Sequence, residues 1–243
     1  FIGFQNYAKL ASDRKFKLAL LFNARYTVML VVGIVVISVV LALLLNREIR
    51  FRTFFRALLL LPWLFPEVVI ANLWKWIFNA STGLLNSALG LLGIAPVRWI
   101  NEPATALPSL AAITIWRMLG YSTVVYLGGI QNISEDVLEA ATIDGAKSSH
   151  VLRYIILPLL MPSVTQCLFL SMVNSLKVYD LNISLTNGNP FRLSEAVTMN
   201  VYQTAFSSNL MGYGSAKALL LVLVIAGVSL IQVAITSSKE VEL

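Results

Sequence analysis

The sequence predicts an all-α, polytopic membrane protein. Of its 243 residues, 58% are hydrophobic and only 12% are charged, whereas a soluble domain carries about a quarter charged residues. Apolar runs long enough to cross a bilayer recur from end to end and leave no stretch for a separate soluble domain. Backbone groups cannot stay unpaired in hydrocarbon, so such runs must be helices, and no barrel-type alternation is visible.

Five runs qualify as spans: residues 25–45, 57–78, 107–130, 156–178 and 216–236. Around them the chain divides into an extracytoplasmic amphipathic segment at 1–24, a membrane domain at 25–236 with a loop at 131–155, and a cytoplasmic tail at 237–243. Residue 1 is Phe, and no n-region or cleavage site precedes the first run. FIGFQNYAKLASDRKFK therefore reads as an amphipathic segment of a longer gene product, not a signal peptide.

Orientation follows from the basic residues. Arg47, Arg50, Arg52 and Arg56 face one acid, Glu48, in the first connector, which the positive-inside rule makes cytoplasmic. The third connector and the tail then add Lys147, Arg153 and Lys239 inside, while the outward connectors hold Arg98 and Arg192. Lys9, Arg14, Lys15 and Lys17 would lie outside, an asymmetry that a further helix upstream would explain. The formal charge of +6 sits beside apolar spans, the pattern of membrane loops and not of nucleic-acid binding. Cys167 lies alone in an apolar run and reads as packing.

The third connector, ISEDVLEAATIDGAKSSHVLRYIILPLLMPS, begins as a short helix. Ser134 is a good N-cap, and Glu135 and Asp136 suit the positive end of the helix dipole. Val137, Leu138, Ala141 and Ile143 give an apolar side, and Ala140 and Ala141 let a partner backbone approach closely. Gly145 can take the left-handed conformation that ends a helix. Pro158 fits the first turn of the next span. The result is an amphipathic helix at the membrane surface, joined to a span and able to transmit force from a peripheral partner.

Glu139-Ala140-Ala141, then Gly145, then Ile155, Leu157 and Pro158 resemble the EAA signature of bacterial ABC importer permeases, with Asp144-Gly145-Ala146 matching its core. FIGFQNYAKL, RTFFRALLLLPWLFPEVV, GLLN, SLTNGNPFRLSEAVTMNVYQTAF, Gly212-Tyr213-Gly214 and KEVEL are similar to the maltose-type sugar permeases. The resemblance covers nearly the whole chain and implies the type I importer transmembrane fold, in the cytoplasmic membrane of a bacterium or archaeon. It implies that Glu139, Ala140, Ala141, Asp144 and Gly145 form the coupling helix that docks on an ATPase subunit. A second homologous permease, two ABC ATPase subunits and an extracytoplasmic sugar-binding protein would be its partners. Family members also carry a helix before the FIGFQNY-like segment, which fits an absent upstream span.

No phosphate-binding Gly-x-x-x-x-Gly-Lys-Ser/Thr loop occurs, and His150 is the single histidine. The chain needs no cofactor of its own on this reading, and ATP and Mg would be used by the partner ATPase. Glu67 and Arg117 fall near mid-span, where ionisable residues are functional candidates, and are expected to face the bundle interior as cargo contacts or as a structural pair. Sugar sites need aromatic platforms with amides or carboxylates, for which Asn72, Trp116, Tyr121, Asn174, Tyr179 and Asp180 are available. Trp63, Trp74, Trp76 and Trp99 read as belt or packing residues, and Lys75 and Lys177 as snorkelling at span ends. Other classes remain open: a polyol or glycerol phosphate ester permease, a secondary transporter, or a membrane scaffold.

Overall fold

The computed structural model describes residues 3–47, 50–190, 192 and 194–240; Glu48 and the last three residues of KEVEL lie outside these. All regular elements among the described residues are helical. In order they are α1 (Gln5–Ser12), α2 (Arg14–Asn46), α3 (Arg52–Leu64), α4 (Glu67–Ile77), α5 (Leu84–Leu91), α6 (Pro103–Gln131) and α7 (Glu135–Ile143). There follow α8 (Ser148–Val151), α9 (Leu157–Leu159), α10 (Met161–Leu176), α11 (Asp180–Leu185), α12 (Val197–Tyr202) and α13 (Met211–Ser237), with π-helical turns at Leu152–Ile156 and Gln203–Ser207.

Three helices, α2, α6 and α13, are each long and apolar enough to cross a membrane. The other two apolar runs are broken. α3 meets α4 at a 101° bend, and the helix Ser148–Leu159 meets α10 at 62°. Proline causes both breaks. Pro66 lies between α3 and α4, and Pro162 lacks the N–H that would continue the turn through Leu160 and clashes with the carbonyl four residues back. The π turn has the same origin. Pro158 has no N–H, and the Leu157 N–H reaches back five residues to the Leu152 carbonyl instead of four.

Helix α2 starts at Arg14, well before the apolar run that predicted it at residue 25. Its first turns are built from good helix formers, and Phe16, Ala19 and Phe22 there are buried. Further along, Tyr26, Leu30, Ile34, Ser38 and Ala42 recur every four residues on a buried face, while Val28, Val32, Val36, Val40 and Leu44 are exposed. A helix with apolar side chains on its exposed face is one whose solvent is lipid.

The chain groups into two compact units: Phe1–Leu30, Phe65–Ile115 and Val173–Gly227 form one; Val31–Leu64, Trp116–Met172 and Val228–Leu243 form the other. In the first, Leu10, Phe16, Ala19, Val197, Tyr213 and Leu221 make a shared core. Buried Asn23 ties three segments of this unit together, donating to the Leu176 carbonyl at 2.7 Å and accepting from the Val197 N–H at 3.1 Å. A buried cation adds a second tie. Lys217, only 3% exposed, meets Asp13 at 2.9 Å and donates to Asn200 at 2.6 Å and Thr204 at 3.0 Å. Asp13 also accepts from the Tyr213 hydroxyl and the Phe16 N–H. Burial alone would raise the Asp13 carboxyl, but the hydrogen bonds from Tyr213, Lys217 and Phe16 outweigh it and hold the group at about 2.

The second unit packs Ala42, Tyr126, Leu127, Ile130, Leu160 and Cys167 into one cluster. Cys167 is thus a packing residue. Helices α3 and α6 meet here backbone to backbone at Gly120, where an added Cβ would collide with the Leu59 carbonyl. Small residues serve this purpose in membranes, because van der Waals contact replaces the hydrophobic effect between helices.

Two outcomes follow for stability. Gly120→Ala should destabilise the detergent-solubilised protein by about 1–3 kcal/mol, the usual cost of overpacking. Gly128→Ala, with nothing within 4 Å of its added Cβ, should leave the Tm unchanged, and equal melting of both variants would refute the close crossing. Asp13 is held below its ordinary value, so its contribution is present above about pH 4 and lost as pH falls through about 2. Asp13→Asn should therefore melt below wild type at neutral pH, with the gap closing across that window. A pH-independent gap would show that the carboxylate charge is not what stabilises.

Candidate functional site

The predicted surface helix exists as α7. The Ser134 hydroxyl caps it, accepting from the Asp136 N–H at 3.3 Å, and Glu135 and Asp136 occupy its first turn. Its other end closes in a Schellman arrangement: the Gly145 N–H donates to the Thr142 carbonyl and the Ala146 N–H to the Ala141 carbonyl, each at 3.0 Å. Gly145 has φ +75°, a conformation that costs a side-chain-bearing residue about 1 kcal/mol or more. The space around it is open, so backbone conformation, not crowding, demands glycine here.

Of the five residues predicted to make contact with a partner, Ala141 is buried and anchors the helix, while Glu139, Ala140, Asp144 and Gly145 are exposed. Ile143 projects beside them at 84% exposure. Glu135, Leu138, Glu139 and Thr142 share one face of the helix, with Ile143 at its end. Exposed Ile143 therefore lies beside the exposed Glu139, Ala140 and Asp144 on this helix.

The pathway candidates distribute over both units. In the first, Glu67 is not in the middle of a straight span but at the first turn of α4, after the Pro66 break. Its Oε2 accepts from the Leu181 N–H at 3.3 Å, in the first turn of α11. One carboxylate thus sits at the positive ends of two helices, which is where an anion is stabilised. Asp180 opens α11 beside it, and Tyr179, half-buried, packs against Tyr202 with ring centroids 5.7 Å apart. Asn72 is spent on its own helix, donating to the Val68 carbonyl at 2.8 Å. Asn174 is half-buried on α10.

In the second unit the structure brings Arg117 and Tyr121 together through Trp63. The Trp63 ring stacks on Tyr121 at 5.1 Å, and the Arg117 guanidinium lies over the same ring at 5.1 Å. Trp63 reads from sequence as a belt or packing residue; it packs, and its partners are two of the candidates. Arg117 is buried, while Trp116 is 37% exposed.

Lys217 escaped the sequence reading. It stands alone in the apolar run from Met211, close to the predicted start of the last span, and a basic residue at a span end is easily taken for a snorkelling one. Its partner, Asp13, lies about 200 residues away in sequence, as the Tyr213–Asp13 bond does, so no local pattern could supply it. Glu195 was missed too, although it is 4% exposed and accepts from Asn200 at 2.9 Å and from Arg192 at 3.3 Å.

Comparison with known proteins agrees with this architecture. The family described as "Binding-protein-dependent transport system inner membrane component" matches residues 27–240. The probable starch degradation products transport system permease protein AmyD of Thermoanaerobacterium thermosulfurigenes is 38% identical over 100% of this chain and 82% of its own. The trehalose/maltose transport system permease protein MalF of Thermococcus litoralis is 31% identical over 90% of this chain and 73% of its own. Among solved structures, a bacterial ABC transporter involved in the import of the acidic polysaccharide alginate superposes with a TM-score of 0.88 at 22% identity, covering 98% of this chain and 84% of that one. The chain therefore belongs to the binding-protein-dependent transport system inner membrane components, the permeases of ABC importers.

Proposed function

We propose that this chain is one permease subunit of an ATP-driven sugar importer, working by alternating access. The observation that carries the coupling part is α7, a short capped helix that ends in a left-handed glycine and leaves Glu139, Ala140 and Ile143 exposed. A peripheral ATPase pair supplies the partner for that face, using ATP and Mg that this chain has no phosphate loop to hold. A second homologous permease completes the pathway, and an extracytoplasmic binding protein delivers cargo. One solved relative of the fold is a bacterial alginate ABC transporter in complex with an alginate pentasaccharide-bound periplasmic protein. The sugar assignment rests on relatives named for starch products, for multiple sugars and for trehalose and maltose.

In the mechanism, ATP-driven closure of the ATPases moves α7, and the spans reorient. The partner must bind one orientation more tightly than the other, because equal contacts would shift no population. Glu67, Asp180, Tyr179 and Asn174 in one unit, and Arg117, Tyr121 and Trp116 in the other, are the side chains proposed to meet cargo or to hold the path in shape. Asn72, bonded to its own helix, contributes least.

Two measurements test this. Affinity purification of the tagged chain from mild-detergent membranes should recover a P-loop ATPase, a second permease and a binding protein; recovery of the chain without an ATPase under crosslinking would favour secondary transport. In reconstituted complex, Gly145→Val should cut sugar uptake at least about tenfold while ATP hydrolysis persists, whereas Gly145→Asn, which tolerates the left-handed conformation, should keep most uptake. Full uptake in Gly145→Val would remove the coupling role.

A further inference from the structure

The first unit contains a polar groove that the coupling and pathway residues do not use. It encloses about 550 Å³, within the range of small-molecule sites. One wall comes from the end of α4 and the connector that follows it, with Lys75 and Asn101; the other comes from α11 and its exit, with Ser184, Asn187 and Asn189. Phe78 and Ile100 supply an apolar patch between them. Both walls belong to the connectors that the charge distribution places outside.

Each wall is fixed from behind by a buried asparagine. Asn86 donates to the Val97 carbonyl at 2.9 Å and the Ala80 carbonyl at 3.1 Å, and accepts from the Val97 N–H at 3.1 Å and the Trp99 indole at 3.0 Å. Asn182, fully buried, donates to the Ser194 carbonyl at 2.6 Å and accepts from Thr186 at 2.8 Å. Phe78 is locked by stacking on Trp99 at 5.6 Å. The inward-lining groups are treated differently. Among the described residues, the side chains of Lys75, Asn101, Ser184, Asn187 and Asn189 take no hydrogen bond within the chain. Rigid walls carrying unspent amides, a hydroxyl and an ammonium form a preorganised hydrogen-bonding surface.

The chemistry selects the ligand class. Three primary amides present acceptor and donor together, as adjacent sugar hydroxyls require. Lys75 is the charged residue of the lining, and no carboxylate lines the groove, so hydroxyl and ring oxygens or a uronate are accepted and cations are not. We infer that this groove is an extracytoplasmic carbohydrate subsite, which holds one end of an oligosaccharide before it enters the membrane path. The inference rests on the sugar-import reading and adds a place where cargo is held outside the spans.

The test uses the assembled transporter carrying Ala80→Cys, at a lining position that supplies none of these groups, with Cys167→Ser, and follows alkylation of the new thiol by a charged maleimide. Maltotriose, arabinotriose and an alginate trisaccharide are added in turn at about 10 mM, several times the Kd of a millimolar site, with mannitol as the control polyol. At least one sugar should slow labelling about fivefold or more, as near-saturation of a millimolar site requires, and Lys75→Met with Asn101→Ala should abolish that protection. Protection by none of the three sugars overturns the subsite, as does protection by the sugar-free binding protein alone, which would make the groove a protein contact. Uptake by the same complex in vesicles is scored separately. Import without protection removes the subsite and keeps the proposed function, whereas protection without import of any sugar keeps the subsite and removes the proposed function.

Discussion

The requirement that every backbone N–H and C=O find a partner away from water governs this structure. Straight helices meet it by themselves, and α2, α6 and α13 do so. The two broken runs cannot, since each break creates helix ends with orphan groups. At the first break, the Pro66 carbonyl takes the Val69 and Ile70 N–H groups, and Glu67 supplies a carboxylate at the new positive end. The same carboxylate takes the Leu181 N–H at the start of α11. α4 and α11 also pack on each other, so the break, the acid and the short returning helix form one device. An acid that looks costly at mid-span is instead what makes an interrupted helix tolerable. Irregular backbone at membrane depth is accepted only where protein or a water-filled cavity surrounds it. Under the proposed function, the Glu67 region would border the solute path.

How much of this was readable in advance depends on the range over which each signal acts. The surface helix was legible to the residue: Ser134, the first-turn acids and Gly145 act within a few positions, and the structure uses each in its predicted role. The apolar runs gave the helices but misplaced their ends, because hydropathy reports where lipid is, not where the helix stops. α2 shows this, beginning at Arg14 and running through Lys15 and Lys17 before the apolar stretch. The two bends were visible in WLFPEV and LLMPSV, yet a run scored for apolarity hides a proline inside it. The Lys217 network was not legible at all, since Asp13 reaches it from one distant place in the chain and Asn200 and Thr204 from another. Trp63 illustrates the remaining gap. Its residue type suits an interfacial belt as well as a stacking platform, and only the crossing of α3 and α6 at Gly120 decides between them.

Under the proposed function, the segment from α7 to α10 is a proline-bearing helical stretch through which force would travel. A push on α7 would meet the Schellman joint at Gly145, where two backbone hydrogen bonds and a left-handed residue fix the turn. It then passes α8 into the π turn, whose longer loop exists because Pro158 withholds a hydrogen bond. Beyond α9 the chain bends by 62° at Leu160, which is itself buried in the core of its unit. Regular helix and interruptions thus alternate along one stretch of chain. A uniformly stiff rod would transmit every displacement of α7 directly to α10, including thermal ones, and a uniformly soft one would transmit none. Packed surroundings are bistable and not continuously deformable, so under the proposed function a small displacement of α7 would be taken up before the bend. Only a displacement large enough to repack Leu160 against Tyr126 and Cys167 would then reach the span. Under the proposed function, that threshold is what would keep transport tied to full closure of the ATPase pair and prevent leak through partial motions.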